Sequence, residues 1–407
     1  MRNLSRIVVL LLTVFSGCRR AMPDQGIWSG TVELPEGTIL PFRMNLDLRS
    51  ATPAGWFLVG NEQIPIPEIS RNGDSLTFRF SEYGAEMRGD WNGRRWTGAY
   101  VRYRPDGTTS LKFTASPEAF PKSNPRGESL PITAPTGKYQ VYFQDQDRKA
   151  GATAATLWME AEVMYGTFIA PDGDYGLLTG KPRGSSVQLN RFTGWQAMAI
   201  VMEHGGGTWS GKLYTQSEKP RAFTLEPATG VDVETPSALR TALKDPGAGF
   251  TFDGVSAAGE MVRSTDERFQ GKALVVDIMG TWCHNCLDEA PLLQQLQKEY
   301  GDRGLEVVGL SFEISGDSDV AKKNLKLYKD RFGLTYTLLF CGSIDEPNVK
   351  NRLRSQLDNF FAYPTTLFIN REGKVHAIRS GFKGPGTGEE FQSQVQSFHN
   401  LAKQLVN

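Results

Sequence analysis

Two cysteines separated by two residues, Cys283 and Cys286, constrain this chain more than any other feature. The run Ala273–Met279 before them is apolar and rich in branched side chains, which is typical of a buried central strand. After them, apolar residues recur at helical spacing over 287–300. The pattern predicts a strand, a tight loop and a helix, with Cys283 at the N-terminus of the helix.

This position favours thiol chemistry, because the positive end of the helix dipole and free backbone N–H groups stabilise a thiolate. We expect Cys283 to be the attacking sulfur, and Cys286, one turn further along, to be more buried and to resolve the mixed disulfide. Half a zinc site or a static structural disulfide are the alternatives. Zinc needs four ligands, and the remaining Cys341 and four scattered histidines disfavour a metal; we expect no cofactor.

Residues on both sides of the pair carry a family resemblance. The motifs are Gly271-Lys272, Asp277, Trp282-Cys283-x-x-Cys286, Glu289, Pro291 and Tyr363-Pro364-Thr365-Thr366. Together they resemble those of the TlpA/ResA-like thioredoxin family, whose members are disulfide reductases of the bacterial cell envelope. The resemblance covers about 250–406 and implies a central mixed sheet flanked by helices. It also implies protein-disulfide oxidoreductase activity.

The resemblance also implies roles for single residues. Asp277 matches a buried acid that serves the proton transfer of Cys286, and Glu289 matches a carboxylate beside the pair. Pro364 matches a cis-proline that packs against the disulfide and pairs with the substrate backbone. The implied substrate-binding residues are Trp282, Tyr363, Pro364 and Thr365. Purely structural roles remain open for Asp277, for Glu289 as an acid that complements the helix dipole, and for Trp282 as a core residue.

Several residues extend or depart from this pattern. Burial of Asp277 in an apolar strand predicts a raised pKa. His284, between the cysteines, would push the couple toward oxidising behaviour as a cation, whereas a solvated neutral His284 would do little. Tyr363 is bulkier than the usual residue before the proline. Cys341 is interpreted as a small buried hydrophobe, with an auxiliary thiol as the alternative.

The first half of the chain has a different pattern. Apolar residues alternate with polar ones over 38–48, which predicts half-buried antiparallel strands. Matching Gly/Trp motifs recur at an offset of about 111 residues and predict two copies of one β unit, each a barrel or sandwich. The predicted fold is therefore an all-β region followed by an α/β thioredoxin fold. The predicted segments are a signal peptide (1–18), β unit 1 (21–116), a proline-rich linker (117–135), β unit 2 (136–230), a second linker with a short helical stretch (231–248) and a thioredoxin-like domain (249–407).

In the thioredoxin-like part, local patterns predict further elements. Residues 305–310 and 375–379 are expected to be strands. A helix is expected over Ser318–Phe332 with Ser318 as its cap, and Thr387 with Glu390 resembles a capping box before the last helix.

The N-terminus predicts secretion. Arg2 and Arg6 flank a short apolar run, and Phe15-Ser16-Gly17-Cys18 resembles a lipoprotein box in which Cys18 would be lipidated. Ordinary signal cleavage a few residues later is the alternative. The same pattern predicts location in the cell envelope, with a lipid on Cys18 as the only membrane attachment. Lys and Arg together number 45, as do Asp and Glu, so the balanced charge disfavours a nucleic-acid partner.

The leading hypothesis is a secreted thiol–disulfide oxidoreductase, favoured as a reductase by the resemblance. Its partners would be disulfide-containing envelope proteins, among them apocytochromes of cytochrome c biogenesis, and a membrane thiol donor. The alternative is a binding or scaffolding lipoprotein in which the β units hold a partner and the thioredoxin-like domain is a docking module. Peroxide reduction is disfavoured because the sequence shows no Pro-x-x-x-Thr-x-x-Cys arrangement.

Overall fold

The structure is a computed structural model that describes residues 21–104, 107–118, 133–145, 153–216, 219–229 and 240–407. The predicted signal peptide with Cys18, most of the predicted linker 117–135 and the predicted helical stretch near 235 lie outside these residues. Within the described part, every α-helix is either too short or too polar to cross a bilayer.

The first β unit is an open antiparallel sheet of nine strands. Its alternation of apolar and polar residues buries one face, as in the strand Ile39–Asp47, where every second side chain is buried. The strand order is β4-β3-β2-β1-β9-β8-β7-β6-β5, so the first strand pairs with the last. The strands are β1 Gln25–Glu33, β2 Ile39–Asp47, β3 Ala54–Val59, β4 Glu62–Pro65, β5 Glu68–Asn72, β6 Ser75–Phe80, β7 Ala85–Trp91, β8 Trp96–Arg104 and β9 Gly107–Pro117.

The second β unit is a closed barrel. Eight strands form the ring, because β12 pairs with both β11 and β14, and β13 is attached to β12 outside it. The strands are β10 Gly137–Phe143, β11 Thr153–Glu160, β12 Val163–Ala170, β13 Gly173–Asp174, β14 Leu178–Arg183, β15 Ser186–Phe192, β16 Ala197–Gly205, β17 Thr208–Thr215 and β18 Arg221–Pro227.

The predicted repeat is confirmed by the order of the strands. In both units the first strand pairs with the second and with the ninth, and the later strands follow as an antiparallel meander. The repeat aligns Trp96 with Trp209, and both residues are buried at the start of the eighth strand of their unit, Trp96 as its first residue and Trp209 as its second. The units differ in closure: the first remains an open half-barrel, whereas the second is complete.

The C-terminal part has the predicted thioredoxin-like fold. Its main sheet has the order β21-β20-β24-β23-β22-β26-β27, with β22, β23 and β24 parallel and the outer strands antiparallel. A small pair, β19 with β25, lies beside it, and β19 falls inside the predicted linker 231–248. The elements are β19 Ala242–Leu243, β20 Asp253–Ser256, β21 Met261–Arg263, β22 Ala273–Met279, α1 His284–Tyr300, β23 Leu305–Glu313, α2 Ser318–Phe332, β24 Thr337–Ser343, α3 Glu346–Arg352, β25 Leu357–Asp358, β26 Thr365–Ile369, β27 Val375–Ser380 and α4 Glu389–Val406.

Two predicted helix caps are wrong. Helix α2 has the predicted bounds, but its N-cap is Asp317, whose carboxylate accepts hydrogen bonds from the backbone N–H groups of Asp319 and Val320. The final helix α4 starts at Glu389, and its N-cap Gly388 has no side chain to offer. Asp and Ser are both good N-caps, so the sequence Asp317-Ser318 did not by itself decide between them.

One hydrophobic core joins the two halves of the chain. The same cluster of buried side chains contains Trp28 of the half-barrel, Trp195 of the barrel and Cys286 and Phe398 of the thioredoxin-like part. Trp195 stacks on Tyr83 of the half-barrel, with ring centroids 4.3 Å apart. The β units therefore pack directly against the region that carries the two cysteines.

Candidate active site

The two cysteines lie where the buried strand β22 turns into α1. Cys283 is the N-cap of the helix, and its Sγ accepts a hydrogen bond from the backbone N–H of Cys286 at 3.2 Å. The pair forms a disulfide, with the Cα atoms 5.2 Å apart. After reduction, the same N–H group and the helix dipole would stabilise a thiolate on Cys283.

The two sulfurs differ in accessibility as predicted. Cys283 is 5% exposed, whereas Cys286 is completely buried. The carbonyl of Cys286 accepts a hydrogen bond from the buried Tyr328 hydroxyl at 2.7 Å, which fixes the first turn of α1 against α2. Of the two sulfurs, that of Cys283 is therefore the one nearer to solvent.

Glu313, which the sequence analysis did not identify, holds the segment before the cysteines. This buried carboxylate accepts hydrogen bonds from the backbone N–H of Thr281 at 3.1 Å and from its hydroxyl at 2.7 Å. Next to it, the indole N–H of Trp282 donates to the carbonyl of Phe312 at 2.8 Å. Trp282 is half-buried, so one part of its ring stays at the surface. An acid at the end of the apolar strand β23 was the signal that could have identified Glu313.

Asp277 and Glu289 form a buried acid pair beneath the disulfide. Thr366 lies opposite Asp277 in the β22–β26 ladder, so both side chains face α1, and the Thr366 hydroxyl donates to Glu289 at 2.6 Å. Glu289 follows Cys286 by three residues and therefore shares its helix face. Burial raises the pKa of both carboxyls, and the charge of Glu289 raises that of Asp277 further. The predicted raised pKa of Asp277 is thus supported.

The proline loop lies against the sulfur of Cys283. The Tyr363–Pro364 peptide bond is cis, and the carbonyl oxygen of Tyr363 is 3.3 Å from Cys283 Sγ. The Tyr363 ring packs edge-on against Trp282, with centroids 5.5 Å apart. Thr365 is fully buried, and its hydroxyl donates to the carbonyl of Ala362 at 2.8 Å, so its side chain supports the loop and is not placed to contact substrate.

His284 differs from the sequence expectation. Its side chain is only 14% exposed, because the barrel covers it, and it is not a solvated residue. Burial, with a smaller effect of Arg191 from the barrel, lowers the pKa of His284 to about 3. His284 is therefore neutral near pH 7 and adds no positive charge beside Cys283.

Asp174 of the barrel and Asp288 of α1 surround His284. Burial, and secondarily the charge of Asp174, raises the pKa of Asp288 to about 8. Asp174, His284 and Asp288 each offer one ligand atom, and these three atoms lie within 4.8 Å of one another. Such a group of atoms could bind a divalent cation. Asp174, however, already accepts hydrogen bonds from the backbone N–H groups of Gly384 and Gly176, and we assign it to contacts between the domains.

Cys341 lies away from the pair on β24. It is a buried free thiol, and burial raises its pKa to about 12. A thiol with such a pKa is unreactive near neutrality, so the structure favours the interpretation as a small hydrophobe over an auxiliary thiol.

Comparison with known proteins identifies the same part of the chain. Residues 244–378 match the model of the AhpC/TSA family. The match lies within the C-terminal part of the chain, and the N-terminal part is a β-rich extension.

The relatives that match this region are named as a thioredoxin-like protein or as thiol-disulfide oxidoreductases. Thioredoxin-like protein YneN of Bacillus subtilis is 29% identical over 119 residues, which are 29% of this chain and 62% of that protein. Thiol-disulfide oxidoreductase ResA of Geobacillus thermodenitrificans is 29% identical over 142 residues, 34% of this chain and 69% of that protein. The chain thus spans less than two thirds of the first of these relatives.

Solved structures align with the same region. A thiol:disulfide interchange protein of the thioredoxin family from Chlorobium tepidum is 23% identical, with a TM-score of 0.31. The alignment covers 39% of this chain and 95% of that one.

Proposed function

We propose that this protein is a thiol–disulfide oxidoreductase that works as a disulfide reductase through Cys283 and Cys286. The observation that carries the proposal is the disulfide at the N-terminus of α1, in which Cys283 caps the helix and Cys286 is buried one turn on. The match to the AhpC/TSA family and the likeness to ResA support the same chemistry.

The reaction consists of two exchanges. The Cys283 thiolate attacks one sulfur of a substrate disulfide, so that a mixed disulfide forms while the substrate S–S bond breaks and its other sulfur leaves and takes up a proton. The Cys286 thiol then loses its proton and attacks Cys283 Sγ. This closes the Cys283–Cys286 bond and releases the second substrate sulfur, which is protonated in turn. The substrate gains two electrons, and a dithiol donor must return them to the protein.

The acid pair gives the second exchange its proton acceptor. Cys286 is completely buried, so its proton needs an acceptor inside the protein. Asp277 and Glu289 supply one, because their raised pKa values allow a carboxylate and a thiol to exchange a proton near neutral pH. Both residues are therefore assigned to proton transfer.

The neutral state of His284 favours the reductase direction. A cation beside Cys283 would stabilise the thiolate of the reduced form and raise the reduction potential of the couple. Burial keeps His284 uncharged, so this oxidising contribution is removed. We further propose that the electrons come from a membrane thiol donor and that the substrates are disulfide-containing proteins of the cell envelope.

The envelope location rests on the N-terminal sequence. If Cys18 carries the lipid, the Cys18→Ser variant is expected to move from the membrane fraction to the soluble fraction of cell lysates, because a lipid supplies the apolar surface that binds the bilayer. Immunoblots of the separated fractions measure this change. A protein that stays in the membrane fraction after the substitution would contradict lipid anchoring.

The oxidoreductase proposal is tested with the full chain and dithiothreitol as donor. Turnover of insulin disulfides and of glutathione disulfide is expected to fall to the uncatalysed rate in Cys283→Ser, because no other described thiol is both accessible and activated. The matched control is Cys341→Ser, which removes a buried thiol and should retain turnover. Equal rates in wild type and Cys283→Ser would favour the scaffolding alternative.

A further inference from the structure

The second β unit reaches the redox pair through the short turn 171–174 between β12 and the end of β13. Gly173 forms a parallel bridge with Phe382, the second residue after β27. Asp174 accepts a hydrogen bond from the backbone N–H of Gly384 at 2.8 Å, in a buried contact. The turn is thereby held to the loop that precedes α4 by one backbone bridge and one hydrogen bond from the backbone to the Asp174 carboxylate.

The same turn lies on the residues between the two cysteines. Hydrogen bonding assigns the amide nitrogen of Asn285 as donor to Asp174 Oδ1 at 3.1 Å. A Cβ atom on Gly173 would lie 2.6 Å from the Asn285 side-chain carbon and 2.9 Å from the carbonyl oxygen of Phe382. Glycine at 173 is therefore required for the turn to approach so closely.

The contact covers Cys283 on the side of His284 and Asn285. His284 and Asn285 lie under the barrel, and Cys283 itself is 5% exposed. Trp282 directly precedes Cys283, the carbonyl oxygen of Tyr363 lies 3.3 Å from Cys283 Sγ, and both aromatic side chains are half-buried and pack against each other. An incoming disulfide must therefore approach past these two aromatic rings.

We propose that the turn 171–174 is a specificity-determining element, which blocks the His284–Asn285 side of Cys283 and selects small disulfides and disulfides on extended segments over those on folded protein surfaces. This inference rests on the proposed function. Exchange requires the three sulfurs to align, so a folded surface must approach Cys283 closely on more than one side. A narrow substrate needs only the side next to Trp282 and Tyr363.

The first test moves the turn by adding a single methyl group. Gly173→Ala places a Cβ against Asn285 and requires a φ of +138°, which alanine disfavours. We expect the ratio of insulin turnover to glutathione disulfide turnover to rise roughly tenfold. The matched control is Gly184→Ala in the same barrel, where φ is also positive but the Cβ would meet no atom within 4 Å, and the ratio should not change.

The second test approaches the same contact from the thioredoxin-like side. A Cβ on Gly381 would lie 2.7 Å from the carbonyl oxygen of Pro171, so Gly381→Ala should have the same effect as Gly173→Ala. Gly373→Ala is its control, because Gly373 has a similar positive φ and open space around it. Circular dichroism of each variant verifies that it is folded.

A direct measure of access needs no turnover. In the reduced Cys18→Ser protein, Cys283 is alkylated either by iodoacetamide or by a maleimide that carries a polyethylene glycol chain, with Cys283→Ser as the blank. In Gly173→Ala and Gly381→Ala, we expect the alkylation rate with the bulky maleimide to rise relative to the rate with iodoacetamide. Folded variants with unchanged reagent and substrate ratios would overturn the proposal. If the wild-type protein did not turn over glutathione disulfide at all, the proposed function would be refuted. The alkylation rates would still show whether the turn limits access to Cys283.

Discussion

The Cys286→Ser variant is expected to accumulate as a mixed disulfide that joins Cys283 to its substrate. Cys283 can still attack from the N-terminus of α1, but a serine hydroxyl cannot displace the substrate sulfur in the second exchange. Multiple turnover should fall to background, while one equivalent of substrate remains covalently bound. Electrophoresis under non-reducing conditions, followed by mass spectrometry of the adduct, measures this product.

The adduct also identifies the substrates. In cells, the Cys286→Ser protein should retain envelope proteins that dithiothreitol releases, and the Cys283→Ser, Cys286→Ser double variant should retain none. Cys341→Ser combined with Cys286→Ser is the matched control, because Cys341 is buried and should not form the adduct. An adduct through Cys341, or the same adduct in the double variant, would refute Cys283 as the nucleophile.

Asp277→Asn is expected to slow the second exchange about 10²-fold to 10⁴-fold, the usual contribution of general acid–base catalysis. An amide cannot accept the proton of Cys286. Because burial and the charge of Glu289 raise the pKa of Asp277, the wild-type rate should increase as pH rises through this raised pKa. The variant should lose that increase. Stopped-flow measurement of substrate release from pH 5 to 9 tests both expectations.

The same carboxyl makes stability depend on pH. A folded-state pKa above the unfolded value of about 4 means that the folded protein binds the proton more tightly. The stabilisation is present at low pH and is lost as pH rises toward the raised pKa. Urea unfolding of the reduced protein measures this effect. Between pH 5 and pH 8, the free energy of unfolding should decrease less for Asp277→Asn than for wild type.

An exposed acid provides the control for both measurements. Asp330 on α2 is exposed and paired with Lys326, so Asp330→Asn should change neither the release rate nor the pH dependence of stability. If Asp277→Asn behaved like this control, Asp277 would be a structural acid with no part in proton transfer.

Local sequence patterns predicted the elements that depend on neighbouring residues. The apolar run before Cys283 and the helical spacing after Cys286 indicated β22 and α1, and the repeat indicated the two β units. The competing caps Asp317 and Ser318 could not be separated, because both residue types cap helices well. The error of one residue at α2 is of this local kind.

The contacts made over long distances in the sequence were not predictable. Nothing near Asp174 indicates that it would meet Gly384 and the residues between the cysteines, more than a hundred positions away. The neutrality of His284 was foreseen as one outcome, but for the wrong reason, since the barrel and not solvent surrounds it. Side chains whose environment is supplied by another domain show no periodicity that a single sequence could reveal.

The shared core that contains Trp28, Trp195 and Cys286 has a consequence for how this protein can be divided. Cleavage between the β region and the rest would uncover apolar side chains on both products, so a shortened version would tend to aggregate. Engineers who wish to transplant its redox chemistry would have to move the whole assembly.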